Sequence, residues 1–214
     1  MKKNVSSEEL LQLSLEHFIL TLIPVLLAIL FGLPMAYFAS QQPGLQRTFG
    51  TVSTVVQTIP GLALLTFLIP LTGIGTKSAI IVLFLYALLP IFINAVQGFQ
   101  SLTPLLELSC QSLQMTSWQK LYWVQIRLAL PLILSGIQTS FVMTVGNATL
   151  AALIGAGGYG KKIIAGLAVN DMHTVLIGAI PSALMAFLFY IFFEVLIQKS
   201  RWNRIEKSAT TKNR

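Results

Sequence analysis

The chain has 214 residues, of which 55% are hydrophobic and only 10% are charged. Soluble domains carry about 25% charged residues, so this composition cannot supply the polar surface that a soluble fold needs. The net charge of +7 does not indicate nucleic-acid binding, because six basic residues crowd positions 199–214. Such a tail after an apolar segment is typical of a cytoplasmic anchor beside anionic lipid. The single cysteine excludes an intrachain disulfide.

Five intervals of the sequence carry no charged residue. They run over 17–46, 48–76, 78–106, 128–160 and 172–193. A helix needs about 20 residues to cross a hydrocarbon core about 30 Å thick. A lysine or arginine at its centre costs about 2.5–3.5 kcal/mol on insertion scales. The sequence therefore predicts an all-α membrane protein with five transmembrane helices.

These intervals translate into one lead-in helix and five spans. Residues 1–16 are amphipathic, with Ser6 or Ser7 as the N-cap. The predicted spans cover residues 17–39, 52–71, 78–97, 128–150 and 174–198. A loop is expected at 40–50 and a short external segment at 161–171.

The second predicted span is interrupted by Pro60 and Gly61. Gln57 and Thr58 stand just before this break. A polar pair beside a proline at membrane depth either caps a kink or lines a cavity, and the sequence does not separate these two roles.

The fourth span leads into a glycine-rich stretch, AALIGAGGYG, at 151–160. It matches no phosphate-binding pattern, because no Gly-Lys-Ser/Thr ending is present and no strand precedes it. Its glycines are expected to let the backbone pack closely or unwind. They are Gly155, Gly157, Gly158 and Gly160. Glu194, near the end of the last span, is expected to have a structural role.

The basic residues predict the orientation. With five spans, nine of them fall on the side of the C-terminus and five on the other. The first group is Arg47, Lys120, Arg127, Lys199, Arg201, Arg204, Lys207, Lys212 and Arg214, and the second is Lys2, Lys3, Lys77, Lys161 and Lys162. Because cytoplasmic loops carry the excess of Lys and Arg, the N-terminus is expected outside and the C-terminus inside. The two lysines at 161–162 do not fit this orientation, because they would then lie outside. The expected organisation is a lead-in segment (1–16), a transmembrane domain (17–198) with a cytoplasmic loop at 101–127, and a basic tail (199–214).

The cytoplasmic loop is predicted to contain two short helices. Thr103 followed by Pro104 begins the first, and Glu107 falls in its first turn, where an acid suits the helix dipole. Thr116 and Gln119 fit a capping box that begins the second. The apolar side chains on these helices are Leu105, Leu108, Leu113, Met115 and Trp118. They favour a knob that enters a groove on a partner; the alternative is a helix lying on the membrane.

Six runs of sequence resemble one family of membrane proteins. They are VVQTIPGLALL (55–65), LFLYALLPI (83–91), MTSWQ (115–119), LALPLILSGIQT (128–139), VGNATLAALIGAGGYG (145–160) and GAIPSALMA (178–186). In this order they resemble the permease subunits of type I ABC importers, and most closely the osmoprotectant branch for glycine betaine, carnitine, choline and related solutes. The resemblance implies the permease fold with a cytoplasmic coupling helix, in the bacterial cytoplasmic membrane.

The coupling loop of this family carries a Glu-Ala-Ala…Gly pattern that the chain keeps only in part. Aligned on MTSWQ, the acid falls at Leu108, the alanines at Ser109 and Cys110, and the glycine at Gln114. Glu107 stands one place early, which rotates its side chain by about 100° on a helix. Glutamine also adopts a positive φ less readily than glycine. The expected ATPase-coupling residues are Glu107, Leu108, Ser109, Cys110, Leu113, Gln114, Met115 and Trp118.

The resemblance also implies the partners. They are a cytoplasmic ABC ATPase, a second permease that is identical or different, and an extracytoplasmic solute-binding protein, all around a chain embedded in lipid. The ATPase would use ATP, because this chain has no Walker pattern; no cofactor or metal is expected in the chain itself. The polar candidates for the translocation pathway are Gln57, Thr58, Asn94, Thr144, Asn147 and Thr149.

Other functions stay open at this point. The altered loop is compatible with a structural partner that couples weakly inside a heterodimer, or with a permease for another small solute. A membrane enzyme is disfavoured, because His17 and His173 have no HExxH pairing or nearby carboxylate cluster. No catalytic residue is therefore expected. A passive channel would leave the family runs unexplained.

Overall fold

The first helix is longer than the sequence indicates. The computed structural model describes residues 7–212, and their side chains as far as position 200. Helix α1 runs without interruption over Ser7–Gln41, with Pro24 and Pro34 inside it. The predicted lead-in helix is therefore the beginning of α1 rather than a separate element; its predicted cap Ser6 lies outside the described residues. Neighbouring helices can satisfy the backbone groups that internal prolines free in a span.

The predicted loop at 40–50 is wrong. Helix α2 spans Pro43–Thr58, and between it and α1 only Gln42 is non-helical, with an extended backbone. Pro43 occupies the first helical position, where its missing N–H costs nothing and its fixed φ suits the helix. The interval that was expected to be a loop therefore contains a helix start at Pro43.

A sharp bend follows α2. Helix α3 covers Gly61–Thr72, and the axes of α2 and α3 differ by 98°. Ile59 and Pro60 are extended, because the residue before a proline is driven out of the helical region. Two hydrogen bonds hold the bend against the next helix: Gln57 Nε2 donates to the Tyr86 carbonyl (2.9 Å), and the Tyr86 hydroxyl donates to the Ile59 carbonyl.

Helix α4 (Thr76–Phe99) lies at the centre of the molecule and packs against α1 and against α7 (Ile126–Ala151). Small residues bring α4 and α7 close together. A Cβ placed on Gly136 would lie 2.7 Å from the Pro90 carbonyl oxygen, and one on Gly98 would lie 2.9 Å from Ala129 Cβ. The buried Ser140 hydroxyl donates to the Ala87 carbonyl (2.7 Å). This is the close approach that small residues and hydroxyls allow between helices in lipid.

The remaining helices complete the chain. Helix α5 covers Pro104–Ser112 and α6 covers Ser117–Lys120; a π-helical turn at Leu121–Gln125 joins α6 directly to α7. A 3₁₀ turn at Ala152–Ile154 ends α7, and α8 (Gly160–Ala168) occupies part of the predicted external segment. Helix α9 runs over Met172–Lys212 and so continues into the predicted basic tail as far as Lys212.

The helix ends lie on two sides of the molecule. We name the side that carries α5 and α6 the loop end, and the side that carries α8 the α8 end. At the loop end, Gln100 Nε2 donates to Gln46 Oε1 (2.8 Å), next to the start of α5. At the α8 end, Lys161 pairs with Glu16 (3.0 Å) and Lys162 pairs with Glu9 (2.5 Å). These ion pairs neutralise the two lysines that did not fit the orientation expected from the distribution of basic residues.

Four helices among residues 7–212 are long and apolar enough to cross a membrane, and the bent α2–α3 pair makes a fifth crossing if it counts as one span. The all-helical membrane character is therefore confirmed. The four lie within Ser7–Gln41, Thr76–Phe99, Ser117–Ile154 and Met172–Ser200.

Candidate functional site

The segment between α4 and α7 folds as the two short helices predicted from its capping residues. Thr103 Oγ1 accepts from the Leu106 N–H (3.4 Å) at the start of α5. At the start of α6, Thr116 Oγ1 accepts from the Gln119 N–H (3.3 Å), and Gln119 Oε1 accepts from the Thr116 N–H (2.9 Å). This reciprocal pair is a complete capping box. Local sequence therefore decides where both helices begin.

The turn between α5 and α6 depends on Gln114. Its φ is +51°, in the left-handed region. The Met115 N–H donates to the Cys110 carbonyl (3.1 Å) across this turn. A residue with a Cβ pays about 1–2 kcal/mol for the left-handed conformation. The turn thus keeps the geometry that a glycine would adopt freely, although glutamine occupies the position.

Glu107 faces α6 rather than the surroundings. Its Oε1 lies 2.6 Å from Lys120 Nζ, and both side chains are partly buried. The ion pair ties α5 to α6 across 13 residues of sequence. The ion pair of Glu107 therefore stabilises the arrangement of α5 against α6 inside the loop.

The other predicted coupling residues divide by burial. Cys110 is buried with 5% of its surface exposed, so its side chain is not on the outer surface of the loop. Met115 is partly buried, whereas Ser109 and Gln114 are exposed. The most exposed apolar side chains of α5, of α6 and of the turn between them are Leu105 (73%), Leu108 (59%), Leu113 (74%) and Trp118 (79%). We call these four the apolar patch.

Aromatic residues lie where this loop joins α7. Tyr122 and Trp123, in the π-helical turn, are exposed, and the Arg127 guanidinium lies 5.2 Å from the centre of the Trp123 ring. Exposed aromatic rings beside a cation are typical of the boundary between membrane and water. The apolar patch directly precedes these rings in the chain.

A second feature is a polar face on α2. Arg47, Thr51, Thr54 and Thr58 are spaced by four, three and four residues, so they share one side of the helix. All four are exposed. They line an open groove of about 590 Å³ together with Pro43, Gln46, Gly50 and Val55. A polar helix face in a membrane needs water or protein beside it, because lipid cannot satisfy its hydrogen-bonding groups.

Only one of the predicted pathway residues, Thr58, lies in this groove. Gln57 bonds to α4, and Asn94 Nδ2 donates to the Pro90 carbonyl within α4 (2.8 Å). Thr144 is buried, and its hydroxyl has no hydrogen-bond partner among the described residues. The last two, Asn147 and Thr149, are partly buried on α7.

Sequence reasoning missed Arg47, Thr51 and Thr54. The signal was their helical spacing with Thr58. It went unseen because the interval 40–50 was assigned to a loop, which hid the period of α2.

The glycine-rich stretch forms a junction between α1, α7 and α8. A Cβ on Gly157 would lie 2.5 Å from Glu16 Oε2, and one on Gly158 would lie 2.8 Å from His17 Nδ1. Glu16 accepts from the Gly158 N–H (2.8 Å), and the buried His17 donates from Nε2 to the Val145 carbonyl (3.2 Å). The other two glycines also serve the backbone: Gly155 has a φ of +78°, and a Cβ on Gly160 would meet the Thr149 carbonyl. The stretch therefore works by backbone packing.

Nearly the whole chain matches one protein family. The family model described as "Binding-protein-dependent transport system inner membrane component" matches residues 13–202. The chain belongs to this family. Its members are multi-pass membrane components of ABC importers, in line with the helices described above. Within the described residues, no group of three or more His, Cys, Asp or Glu side chains could hold a metal ion.

Several similar proteins have names that state what they transport. The chain is 38% identical over 181 residues to the glycine betaine/carnitine/choline transport system permease protein OpuCB of Bacillus subtilis, covering 84% of this chain and 83% of that protein. It is 37% identical over 182 residues to the osmoprotectant import permease protein OsmW of Salmonella typhimurium (83% and 85% covered). It is 39% identical over 171 residues to the carnitine transport permease protein OpuCB of Listeria monocytogenes (80% and 78% covered).

The fold also resembles a solved importer. A chain of the MetNI methionine ABC transporter, in an inward-facing conformation, superposes with a TM-score of 0.78 at 19% identity, covering 91% of this chain and 99% of that chain. At this identity the likeness shows the fold alone. The architecture is thus that of a type I ABC importer permease, as the sequence resemblance implied.

Proposed function

We propose that the chain is a permease subunit of an ATP-driven importer for osmoprotectants of the quaternary ammonium class, such as glycine betaine, carnitine or choline. The observation that carries this proposal is the identity of 37–39% to relatives named for these solutes, which extends over about four fifths of the chain. The exposed apolar patch and the polar face on α2 supply the two surfaces that such a subunit needs.

The loop end is proposed to face the cytoplasm. Arg47, Lys120 and Arg127 lie at this end, as expected of the side that carries the excess of basic residues. The basic residues Lys161 and Lys162 at the α8 end are paired with acids, which weakens their influence on orientation. The chain then crosses the membrane five times, with α2–α3 as a bent second span, the N-terminus outside and the C-terminus inside.

The partners follow from this orientation. A cytoplasmic ABC ATPase would bind the apolar patch and use the ATP, and a solute-binding protein would deliver solute at the α8 end. A second permease would face the polar side of α2, so that the two chains enclose a water-filled path between them. Such a path provides water for the guanidinium of Arg47, which lipid would leave without hydrogen-bond partners.

The loop is built to pass motion to α7. The Glu107–Lys120 pair joins α5 to α6, and α6 continues through the π-helical turn into α7 without a break. When the ATPase dimer closes on ATP, a displacement of the apolar patch would therefore reach the core contact between α7 and α4. Alternating access by rigid-body motion of packed helices fits this connection.

Replacement of Trp118 tests the proposal. In vesicles that contain the complete transporter, Trp118→Ala is expected to reduce ATP-driven glycine betaine uptake by at least tenfold, because a buried interface tryptophan contributes about 2 kcal/mol or more. The Tm of the purified subunit should not change, since Trp118 is 79% exposed. Trp123→Ala is the matched control and should change uptake by less than about twofold. Equal effects of the two variants would contradict the assignment of the patch.

A second candidate is a permease that couples weakly and depends on a different, strongly coupled partner chain. It is favoured by Leu108 at the position of the family acid and by the left-handed Gln114. The double variant Leu108→Glu with Gln114→Gly discriminates between the two. A gain of several-fold in uptake supports the weakly coupled partner, whereas a loss of uptake supports the apolar patch, because Leu108 belongs to it.

A further inference from the structure

We propose that Arg47 makes the polar face of α2 selective for solutes that carry a carboxylate beside the quaternary ammonium group, over solutes that carry the cation alone. This inference rests on the proposed function, in which that face lines the translocation path. It concerns the last part of the path, because Arg47 lies in the second turn of α2 at the loop end.

The charges of this region are all of one sign. No Asp or Glu occurs between Glu16 and Glu107, and Arg47 is the only charged residue in α2 and α3. Arg47 forms no ion pair with any side chain in the described part of the chain. A bare cation that passes α2 therefore finds an uncompensated positive charge and no carboxylate on this helix pair.

Two of the three hydroxyls that line the groove are bonded to the backbone of their own helix. Thr54 Oγ1 donates to the Gly50 carbonyl (2.8 Å), and Thr58 Oγ1 donates to the Val55 carbonyl (2.7 Å). Their hydroxyl protons are thus committed to the backbone of α2. Among the residues that line the groove, Arg47 is the only charged donor, and its guanidinium has the planar, two-pronged geometry that binds a carboxylate.

The two kinds of solute meet this charge differently. A zwitterion can turn its carboxylate towards Arg47 and keep its ammonium group away, so attraction and repulsion nearly cancel. A solute with only the cation experiences the repulsion alone. A unit charge about 6 Å away in a water-filled path changes the local concentration of a monovalent ion about threefold. The ratio of cation to anion then changes about tenfold.

Thiol labelling at Thr51 measures this field directly. Thr51 is one helical turn from Arg47 and exposed in the same groove. In the complete transporter, Thr51→Cys is treated with a trimethylammonium-bearing thiosulfonate and with its anionic sulfonate analogue. Adding Arg47→Gln should raise the cationic-to-anionic rate ratio about tenfold, and Arg47→Lys should leave it within about twofold. The parent chain with its buried Cys110 gives the background rate, and Leu30→Cys on the apolar face of α1 serves as a control away from the groove.

The outcomes of the labelling experiment test the water-filled path and the role of Arg47 separately. If Thr51→Cys reacts with neither reagent, the α2 face does not line a water-filled path, and that part of the proposed function fails together with this inference. If it reacts with both reagents but Arg47→Gln leaves the rate ratio unchanged, the path stands and the inference about Arg47 is overturned.

Solute uptake supplies the functional readout. With the binding protein saturated by each solute in turn, Arg47→Gln is expected to raise the ratio of choline uptake to glycine betaine uptake by three- to tenfold. Arg47→Lys should leave this ratio within about twofold. An equal change in the uptake of both solutes would overturn the inference, because a merely structural role of Arg47 does not distinguish a zwitterion from a cation.

Discussion

The loop end and the α8 end both use ion pairs, but with opposite results. At the loop end, Glu107 and Lys120 hold together a protruding element whose Leu113 and Trp118 stay exposed. At the α8 end, Glu16 and Lys161 draw α1 onto the glycine-rich stretch, and His17 is completely buried there. One end holds apolar side chains in an exposed position. The other is closed by its own packing.

The largest expected effect lies at the α8 end, where the glycine-rich stretch has no spare room. A Cβ on Gly160 would meet the Thr149 carbonyl and would lie 2.8 Å from Ala152 Cβ. Gly160→Ala is therefore expected to destabilise the subunit by about 2–3 kcal/mol. For a chain of this size that lowers the Tm by roughly 5–10 °C, measurable by thermal unfolding in detergent.

Gly146 provides the matched control for this variant. It lies within α7, and a Cβ there would meet nothing within 4 Å. Gly146→Ala is expected to be neutral or stabilising by about 0.5–1 kcal/mol, because alanine is the better helix former. If both variants unfold at the same temperature as the parent chain, the α8 end is less tightly packed than its geometry indicates.

At the loop end the expected effect is smaller and concerns transport rather than folding. The Glu107–Lys120 pair is partly exposed, so it contributes at most about 1 kcal/mol. Reversing one charge, as in Glu107→Lys or Lys120→Glu, should lower ATP-driven uptake by about fivefold, with little change in Tm. The double exchange should restore uptake to within about twofold of the parent rate. Failure of the double exchange would show that Glu107 contacts the ATPase itself.

The smallest effect is expected at Asp171, where the α8 end leads into α9. Its carboxylate accepts from the Thr174 hydroxyl (2.6 Å) and the His173 N–H (3.1 Å), and the hydrogen bond from Thr174 lowers the pKa of Asp171 below its usual value. Because the pKa is lowered in the folded protein, the charged Asp171 carboxylate stabilises the fold above about pH 4. This contribution to stability is lost as the pH falls through the lowered pKa. Asp171→Ala should reduce the Tm by only a few degrees at neutral pH, and Asp171→Asn by less, because asparagine also caps helices. A larger loss with Asn than with Ala would contradict this role.

Several features could be predicted from the sequence because they depend on neighbouring residues. The exclusion of charge from long intervals indicated the spans, since the cost of burying a charge in lipid does not depend on the partner helix. The caps Thr103 and Thr116 fixed the starts of α5 and α6 for the same reason: a cap acts within one helical turn. The family runs identified the permease fold as a whole.

Other features were decided only by the tertiary structure, because they depend on residues far apart in the chain. Glu107 could be placed on a helix from the sequence, but its pairing with Lys120 depends on how the Gln114 turn sets α5 against α6. The polar face of α2 became visible only once Pro43 proved to begin a helix rather than to break one. The 98° bend at Pro60 likewise depends on Tyr86 of α4, which holds the extended residues in place. Local composition determined which segments enter the membrane, whereas contacts between helices determined which side chains are left for a partner or a solute.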